Sequence, residues 1–126
     1  MSWLDQVKWN DAGLVPVITQ EFATKQVLTL AWMNKESLQL TVDTGHAVYW
    51  SRSRQKIWHK GEQSGNQQQV KSIRLDCDAD AVLLEVVQLG GIACHTGRHH
   101  CFYQQLVDGE WQTIEAVLKD PKEMYK

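Results

Sequence analysis

The first third of the chain alternates between hydrophobic and polar positions in a way that predicts a β-hairpin. Residues 15–20 (Val-Pro-Val-Ile-Thr-Gln) follow the period of two that a half-buried strand requires. Residues 26–33 (Gln-Val-Leu-Thr-Leu-Ala-Trp-Met) are rich in strand formers, and the connection at residues 23–25 is short. The two segments are therefore expected to pair as a hairpin.

The rest of the pattern predicts further strands and one or two helices. Asn34 can cap a helix that Gly45 ends, and Asp108-Gly109 suits a two-residue hairpin turn. A polar loop is predicted over residues 58–69, and a helix over residues 115–120. The other predicted strands cover residues 46–54, 70–75, 81–89, 101–107 and 110–114. The expected fold class is α+β and β-rich, either a small barrel-like domain or a mixed sheet.

Composition limits the function classes. The chain has 126 residues, of which 43% are hydrophobic, as expected for one domain over residues 1–126. A net charge of −2 argues against a general nucleic-acid binder. No apolar run approaches the roughly 20 residues of a membrane span, and the N-terminus does not resemble a signal peptide. A cytoplasmic protein without a membrane partner is expected.

Three carboxylates occur at alternate positions in the segment Asp76-Cys-Asp-Ala-Asp80. If the segment is extended, Asp76, Asp78 and Asp80 project from one face, and their mutual repulsion favours a hard divalent cation such as Mg²⁺. The alternative is a solvated acidic turn, because aspartate is common in turns. An EF-hand fits poorly, since its sixth and twelfth positions would be Ala81 and Val87.

The chain has three cysteines, so an internal disulfide would leave one thiol over. Cys77 lies within the acidic segment, and a Thr-Gly centre between Cys94 and Cys101 allows their sulfurs to meet. Three thiolates and an open position would suit a catalytic zinc. Three histidines compete as ligands, namely His95, His99 and His100. Imidazole titrates near neutral pH, so His95 is also the candidate general base. The alternative is that all three cysteines are buried and inert.

Basic residues and glycines cluster over residues 50–66. Arg52 and Arg54 share one face of the predicted strand, and the glycines that follow let backbone N–H groups approach an anion. The predicted contacts with ligand phosphates are Arg52, Arg54, Lys60, Ser64 and Gly65, with Arg98 as a further anion contact. The alternative is an ordinary basic strand followed by an exposed loop.

Four motifs occur in an order that resembles the phosphoribosyl-AMP cyclohydrolase family of histidine biosynthesis. They are Trp50-Ser-Arg-Ser-Arg54, Trp58-His-Lys-Gly-Glu-Gln-Ser-Gly65, Asp76-Cys-Asp-Ala-Asp80 and Ala93-Cys-His-Thr-Gly-Arg98, the last followed by Cys101-Phe102. The resemblance covers roughly residues 3–111. It implies a single cyclohydrolase domain, without the pyrophosphohydrolase domain that is fused to it in many relatives.

The resemblance implies a hydrolase that adds water at C6 of the adenine ring of phosphoribosyl-AMP and breaks the N1–C6 bond. The product is a formimino aminoimidazole carboxamide ribotide. The implied metal ligands are Asp76, Asp78 and Asp80 for Mg²⁺, and Cys77, Cys94 and Cys101 for Zn²⁺, the zinc site being shared in an intertwined homodimer. The family usually has a small or basic pair before the last cysteine, where this chain has His99 and His100. Their roles stay open.

The implied chemistry agrees with that of the residues. Zinc lowers the pKa of a bound water to about 7, which provides the hydroxide that an unreactive aromatic amidine requires. Zinc nucleobase deaminases direct such a hydroxide at C6 of adenine. A competing hypothesis is a non-catalytic nucleic-acid-binding module with a structural zinc, since aromatic and basic residues interleave over residues 49–60.

Overall fold

A computed structural model describes residues 2–125 as an α+β chain rich in strands, in agreement with the predicted class. The strands are β1 (Val15–Glu21), β2 (Val27–Met33), β3 (Val48–Ser51), β4 (Lys56–His59), β5 (Gln68–Leu75), β6 (Val82–Gln88), β7 (Gln104–Val107) and β8 (Glu110–Thr113). The helices are α1 (Lys35–Thr44) and α2 (Pro121–Met124), and short 3₁₀ turns occur at Trp3–Gln6 and Leu89–Gly91. None of the helices within residues 2–125 has the length and hydropathy needed to cross a bilayer.

The main sheet has four strands in the order β2-β1-β6-β5. β1 and β6 run parallel, whereas β1–β2 and β5–β6 are antiparallel, so the mixed-sheet prediction is confirmed. The barrel alternative is wrong, because β2 and β5 end the sheet as edges among the described residues. The β3–β4 and β7–β8 hairpins form two small sheets of their own.

The core lies where the inward faces of the central strands meet α1. Val15 and Val17 of β1 and Leu84 and Val86 of β6 are fully buried, and Leu38 of α1 is nearly so. Complete burial of such a side chain contributes about 1.5–3 kcal/mol. This core fixes the ends of β2 and β6, from which the site segments extend.

The ends of α1 follow the predicted signals. Asn34 Oδ1 accepts a hydrogen bond from the Ser37 amide at 2.8 Å, and Ser37 Oγ accepts one from the Asn34 amide at 2.9 Å. Gly45 ends the helix with a φ of 74°, in the left-handed region that glycine adopts without strain. The cap at Asn34 and the stop at Gly45 are confirmed.

The region after α1 differs from its predicted course. The predicted strand 46–54 ends at Ser51, and a turn with Gln55 at a φ of 53° leads into β4, whose last two residues lie in the predicted loop. Ser51 Oγ accepts a hydrogen bond from the Arg54 amide at 3.3 Å, which stabilises this turn. Arg52 and Arg54 therefore lie in a turn and not on one face of a strand, so that prediction is wrong.

The tail also differs from its prediction. Residues 114–119 form an irregular segment, called the strap below, and the predicted helix over residues 115–120 is wrong. The strap is extended because it bonds to a neighbouring loop, with the Leu118 amide donating to the Gly97 carbonyl at 2.8 Å. Helix α2 begins only at Pro121, where Asp120 Oδ1 accepts from the Lys122 amide at 2.9 Å.

Candidate active site

Residues 93–101, called the cysteine loop below, fold back on themselves after β6. The Ala93 amide donates to the His99 carbonyl at 3.0 Å, and the Cys94 amide donates to the Arg98 carbonyl at 3.1 Å. This turn brings the thiols of Cys94 and Cys101 close together. Burial raises the pKa of the Cys101 thiol, and the neighbouring Cys94 thiol raises it further.

A buried ammonium group lies beside the two thiols. Lys60 is 7% exposed, and its Nζ donates to the Ala93 carbonyl at 2.5 Å. Burial lowers the pKa of Lys60, whereas Cys101 and Cys94 act in the opposite direction. The structure therefore places Lys60 next to sulfur, where its charge can stabilise a thiolate.

Two cavities meet at His95. The larger has a volume of about 640 Å³ and is lined by Ser51, Ser53, Arg54, Trp58, Gly61, Gln63, Ser64, His95 and Tyr125. The smaller has a volume of about 180 Å³ and includes Lys60, His95 and Cys101 in its lining. His95 therefore faces a pocket of ligand size on one side and the thiol side of the loop on the other.

The predicted phosphate contacts separate into two groups. Arg54 and Ser64 line the larger cavity, and Gly65 follows Ser64 with a φ of 79°. Arg52, Lys60 and Arg98 are not among the residues that line it, and Lys60 instead lies beside the thiols. Arg52 lies 4.5 Å from the centre of the Trp32 ring.

Arg98 contacts the strap and the segment after the cysteine loop. Its Nε donates to the Glu115 carbonyl at 2.9 Å, and its guanidinium carbon lies 4.1 Å from the centre of the Tyr103 ring. The Arg98 guanidinium is therefore already engaged by other groups of the protein.

Two features of the cavity wall were not predicted from sequence. Tyr125 reaches the cavity because α2 returns towards it, and no local pattern near the C-terminus indicates that path. The second feature is a buried polar chain under the Gly61–Asn66 loop. Tyr49 donates to Gln68 Oε1 at 2.5 Å, Gln68 donates to Gln88 Oε1 at 2.8 Å, and Gln88 donates to the Asn66 carbonyl at 2.9 Å. This chain fixes one wall of the larger cavity.

Residues 76–80, called the acidic turn below, form an exposed turn and not the extended segment considered above. Ala79 has a φ of 68°, and Asp76 Oδ1 accepts hydrogen bonds from the Asp80 amide at 2.9 Å and from the Ala81 amide at 3.2 Å. The carboxylate oxygens of Asp76, Asp78 and Asp80 lie within 4.8 Å of one another. The turn therefore brings the three side chains together without a strand face.

The electrostatics of the acidic turn suit a hard cation. A hydrogen bond with Asp78 raises the pKa of Asp80 to about 6 and lowers that of Asp78. The trio thus holds a proton that a divalent ion can replace. Within residues 2–125, no other group of three or more His, Cys, Asp or Glu side chains has its ligand atoms within 4.8 Å of one another. Cys77 is exposed in this turn and does not join Cys94 and Cys101 within the chain.

Sequence comparisons with known proteins agree with one another over nearly the whole chain. Residues 29–103 match the sequence model of a family described as phosphoribosyl-AMP cyclohydrolase. A phosphoribosyl-AMP cyclohydrolase of Thioalkalivibrio sulfidiphilus is 66% identical and covers 98% of this chain and 94% of its own. The enzyme of that name from Leptothrix cholodnii is 64% identical over the whole of both chains. The chain belongs to the phosphoribosyl-AMP cyclohydrolase family.

Family membership makes the chain an enzyme, so the non-catalytic nucleic-acid-binding module is not supported. A phosphoribosyl-AMP cyclohydrolase of Aromatoleum aromaticum, 62% identical over 98% of this chain and 94% of its own, agrees with this assignment. The range matched by the cyclohydrolase family model contains the cysteine loop, the acidic turn and most of the larger cavity's lining.

Proposed function

We propose that this chain hydrolyses the N1–C6 bond of the adenine ring of phosphoribosyl-AMP, a step of histidine biosynthesis. The observation that carries the proposal is the position of His95, which lines both the ligand-sized cavity and the small cavity beside Cys101. A base at that junction can act on a water molecule between a bound purine ring and the thiols.

The larger cavity has the groups that a phosphorylated nucleotide requires. Arg54 supplies a guanidinium for a phosphate, and Ser64 and Gly65 supply a hydroxyl and a flexible backbone nearby. The rings of Trp58 and Tyr125 offer apolar walls for a flat base. These residues are the proposed substrate contacts, whereas Arg52 and Arg98 are occupied elsewhere.

The donor set of the cysteine loop fits a soft ion. Cys94 and Cys101 would hold the zinc, and the Lys60 ammonium beside them favours their thiolate forms. The third thiolate is proposed to be Cys77 of a second copy, since Cys77 is exposed and separate from the other two within one chain. When bound, zinc would supply hydroxide at neutral pH by lowering the pKa of water.

The residues around the substrate then have defined tasks. Arg54 and the aromatic walls hold the base so that C6 faces the small cavity. His95 accepts the proton of the attacking water on a ring nitrogen as oxygen bonds to C6. The same proton can pass to N1 as the N1–C6 bond breaks, and the hydrogen left on the C6 oxygen moves to the exocyclic nitrogen to give the carboxamide, so that His95 ends the step neutral.

The acidic turn is the proposed magnesium site. Its three carboxylates provide only oxygen donors, and they are exposed enough for the ion to keep several waters. A cation there offsets the mutual repulsion of Asp76, Asp78 and Asp80.

A homodimer is proposed as the active form. The face formed by the β7–β8 hairpin, the strap and the residue after Cys101 exposes large apolar side chains. They are Phe102 (52% exposed), Leu106 (57%), Trp111 (69%), Ile114 (51%) and Leu118 (62%). Large apolar side chains exposed in this number along neighbouring segments are typical of a protein interface.

The proposal is tested with purified protein and phosphoribosyl-AMP, by following the ultraviolet absorbance of the purine as its ring opens. Chelation should abolish turnover, and Zn²⁺ should restore it. Cys94→Ser should lose both bound zinc and turnover, while Asp11→Ala, an exposed change in the turn before β1, should keep both. Full metal content and turnover in Cys94→Ser would show that the ligand assignment is wrong.

A further inference from the structure

His99 and His100 immediately precede Cys101, and each imidazole contacts a carboxylate from a different part of the fold. His99 Nε2 lies 3.0 Å from Glu21 Oε2, at the end of β1. His100 Nε2 lies 3.2 Å from Glu115 Oε1, in the strap. The two rings meet edge to face with their centres 5.7 Å apart. The loop is therefore anchored from two sides just before its second thiol.

The contacts of His100 define which of its nitrogens carries a hydrogen. Nδ1 accepts a hydrogen bond from the Phe102 amide at 3.2 Å, so its lone pair is used in this bond and Nδ1 carries no hydrogen. In the neutral ring the hydrogen is then on Nε2, which faces Glu115. Both nitrogens are engaged and the residue is only 5% exposed, so His100 has no free lone pair for a metal ion.

Glu21 is held in place from its other side. Its Oε1 accepts a hydrogen bond from Thr24 Oγ1 at 2.8 Å while Oε2 faces His99. The hydrogen bond with His99 also lowers the pKa of Glu21. The adjacent backbone is tied to the same end of the sheet, because the Cys101 amide donates to the Leu28 carbonyl at 2.7 Å.

We infer that Glu21–His99 and Glu115–His100 form a two-sided clamp that positions the Cys101 thiol beside Cys94 for metal binding. The inference rests on the proposed function, in which Cys101 is a zinc ligand. The clamp residues do not touch the ion or the substrate; they are positioning residues that act through the backbone of Cys101. Orientation of ligands by such outer contacts strongly affects metal affinity.

The test compares zinc affinities, measured by competition with a chromophoric chelator, for the alanine and glutamine variants of Glu21 and Glu115. Glu21→Ala and Glu115→Ala should each weaken zinc binding by about 10-fold, and the double variant by up to about 100-fold. Glu21→Gln and Glu115→Gln should bind zinc nearly as the wild type does, since an amide oxygen can still accept from the imidazole. Asp11→Ala, in the exposed turn before β1, is the matched control for removing an exposed carboxylate.

A second measurement separates positioning from general stability. Amide exchange of the chelator-treated protein should be faster at Cys101 and Phe102 in the alanine variants, while the urea midpoint stays near that of Asp11→Ala. Zinc affinities equal to the wild type in the double alanine variant would overturn the clamp. So would glutamine variants as weak as the alanine variants.

The failure of the proposed function has a different signature. If Cys101→Ser binds zinc as tightly as the wild type, Cys101 is not a zinc ligand. The clamp then cannot act by positioning Cys101 for metal binding. If Cys101→Ser binds none and the double alanine variant is unaffected, the clamp alone is overturned.

Discussion

The two candidate metal sites are built in opposite ways. The acidic turn spans residues 76–80, and Asp76 Oδ1 accepts hydrogen bonds from the amides of Asp80 and Ala81, a few residues away. The cysteine loop is held by distant segments, including the Leu28 carbonyl, Lys60 and the strap. The acidic turn is held mainly by hydrogen bonds within residues 76–81, with one further bond from the Lys8 amide to the Ala79 carbonyl at 2.8 Å, whereas the cysteine loop depends on several distant segments.

This difference follows from what each metal requires. A hard, hydrated ion tolerates exposed oxygen ligands, so a local turn suffices. A zinc site made of thiolates needs a nearby positive charge and a fixed separation between the sulfurs, and no short segment of this chain provides both. Damage to the fold should therefore disable the cysteine loop first and leave the acidic turn intact.

The largest expected effect is the loss of catalysis in His95→Asn. Removing the proposed base should lower kcat by about 10²–10⁴-fold, while bound zinc stays at the wild-type level. Asp78→Asn should instead raise the Mg²⁺ concentration needed for half-maximal activity. Steady-state kinetics with metal analysis check both variants. An equal loss of kcat in both would remove the functional distinction between the two sites.

The next effect is on the stability of the cysteine loop. A Cβ at Gly97, whose φ is 85°, would clash with the Lys119 carbonyl of the strap. Gly97→Ala should therefore lower the free energy of unfolding by about 3 kcal/mol or more, through strain and steric clash together. Gly109→Ala has a φ of 80° but nothing within 4 Å, so it should cost only about 1–2 kcal/mol.

Urea unfolding of the metal-free protein measures both glycine variants. Equal losses of unfolding free energy in the two variants would mean that the strap is not in contact with Gly97 in solution. In that case the cysteine loop would be as independent of the fold as the acidic turn.

Local signals explain which parts of the fold were predictable. The β1–β2 hairpin, the Asn34 cap and the Asp108-Gly109 turn each depend on a few adjacent residues, and all three are confirmed. Strand β4 was missed because its four residues form a strand only by pairing with β3 after a turn at Gln55. The strap was misread as a helix because its bonds to the cysteine loop are tertiary.

The same distinction holds for the site. The side chains of Arg54, Ser64 and His95 were identified from motifs, and they line one cavity. Tyr125 and Glu115 were not identified, because their roles depend on where α2 and the strap fold back. The sequence contains the residue types of the site, whereas their neighbours are determined by packing.

A smaller effect is the pH dependence of the acidic turn. Because the hydrogen bond with Asp78 raises the pKa of Asp80 to about 6, Mg²⁺ must displace a proton below that pH. Mg²⁺ affinity should fall about tenfold per pH unit below 6 and be constant above it. Calorimetric titration with Mg²⁺ at several pH values measures this, and Asp80→Asn should abolish the dependence.

The same raised pKa gives a signed prediction for the metal-free protein. The folded state binds this proton more tightly than the unfolded state, so its stabilising contribution is present at low pH and is lost as pH rises through about 6. The thermal unfolding temperatures measured with and without Mg²⁺ should diverge above that pH. If the plots of unfolding temperature against pH with and without Mg²⁺ stay parallel, the three carboxylates do not share a proton.

The smallest effect concerns the backbone of the acidic turn. Ala79 adopts a φ of 68°, which costs an L-residue about 1–2 kcal/mol and glycine almost nothing. Ala79→Gly should therefore raise the free energy of unfolding by up to about 1 kcal/mol after the entropy of the more flexible unfolded chain is subtracted. Ala12→Gly, at an exposed position outside the left-handed region, should lower it slightly. Because the hydrogen bonds of the turn do not involve the cysteine loop, zinc content should not change in Ala79→Gly, and urea unfolding with metal analysis checks both results. Loss of zinc would mean that the acidic turn and the cysteine loop are coupled within the folded protein.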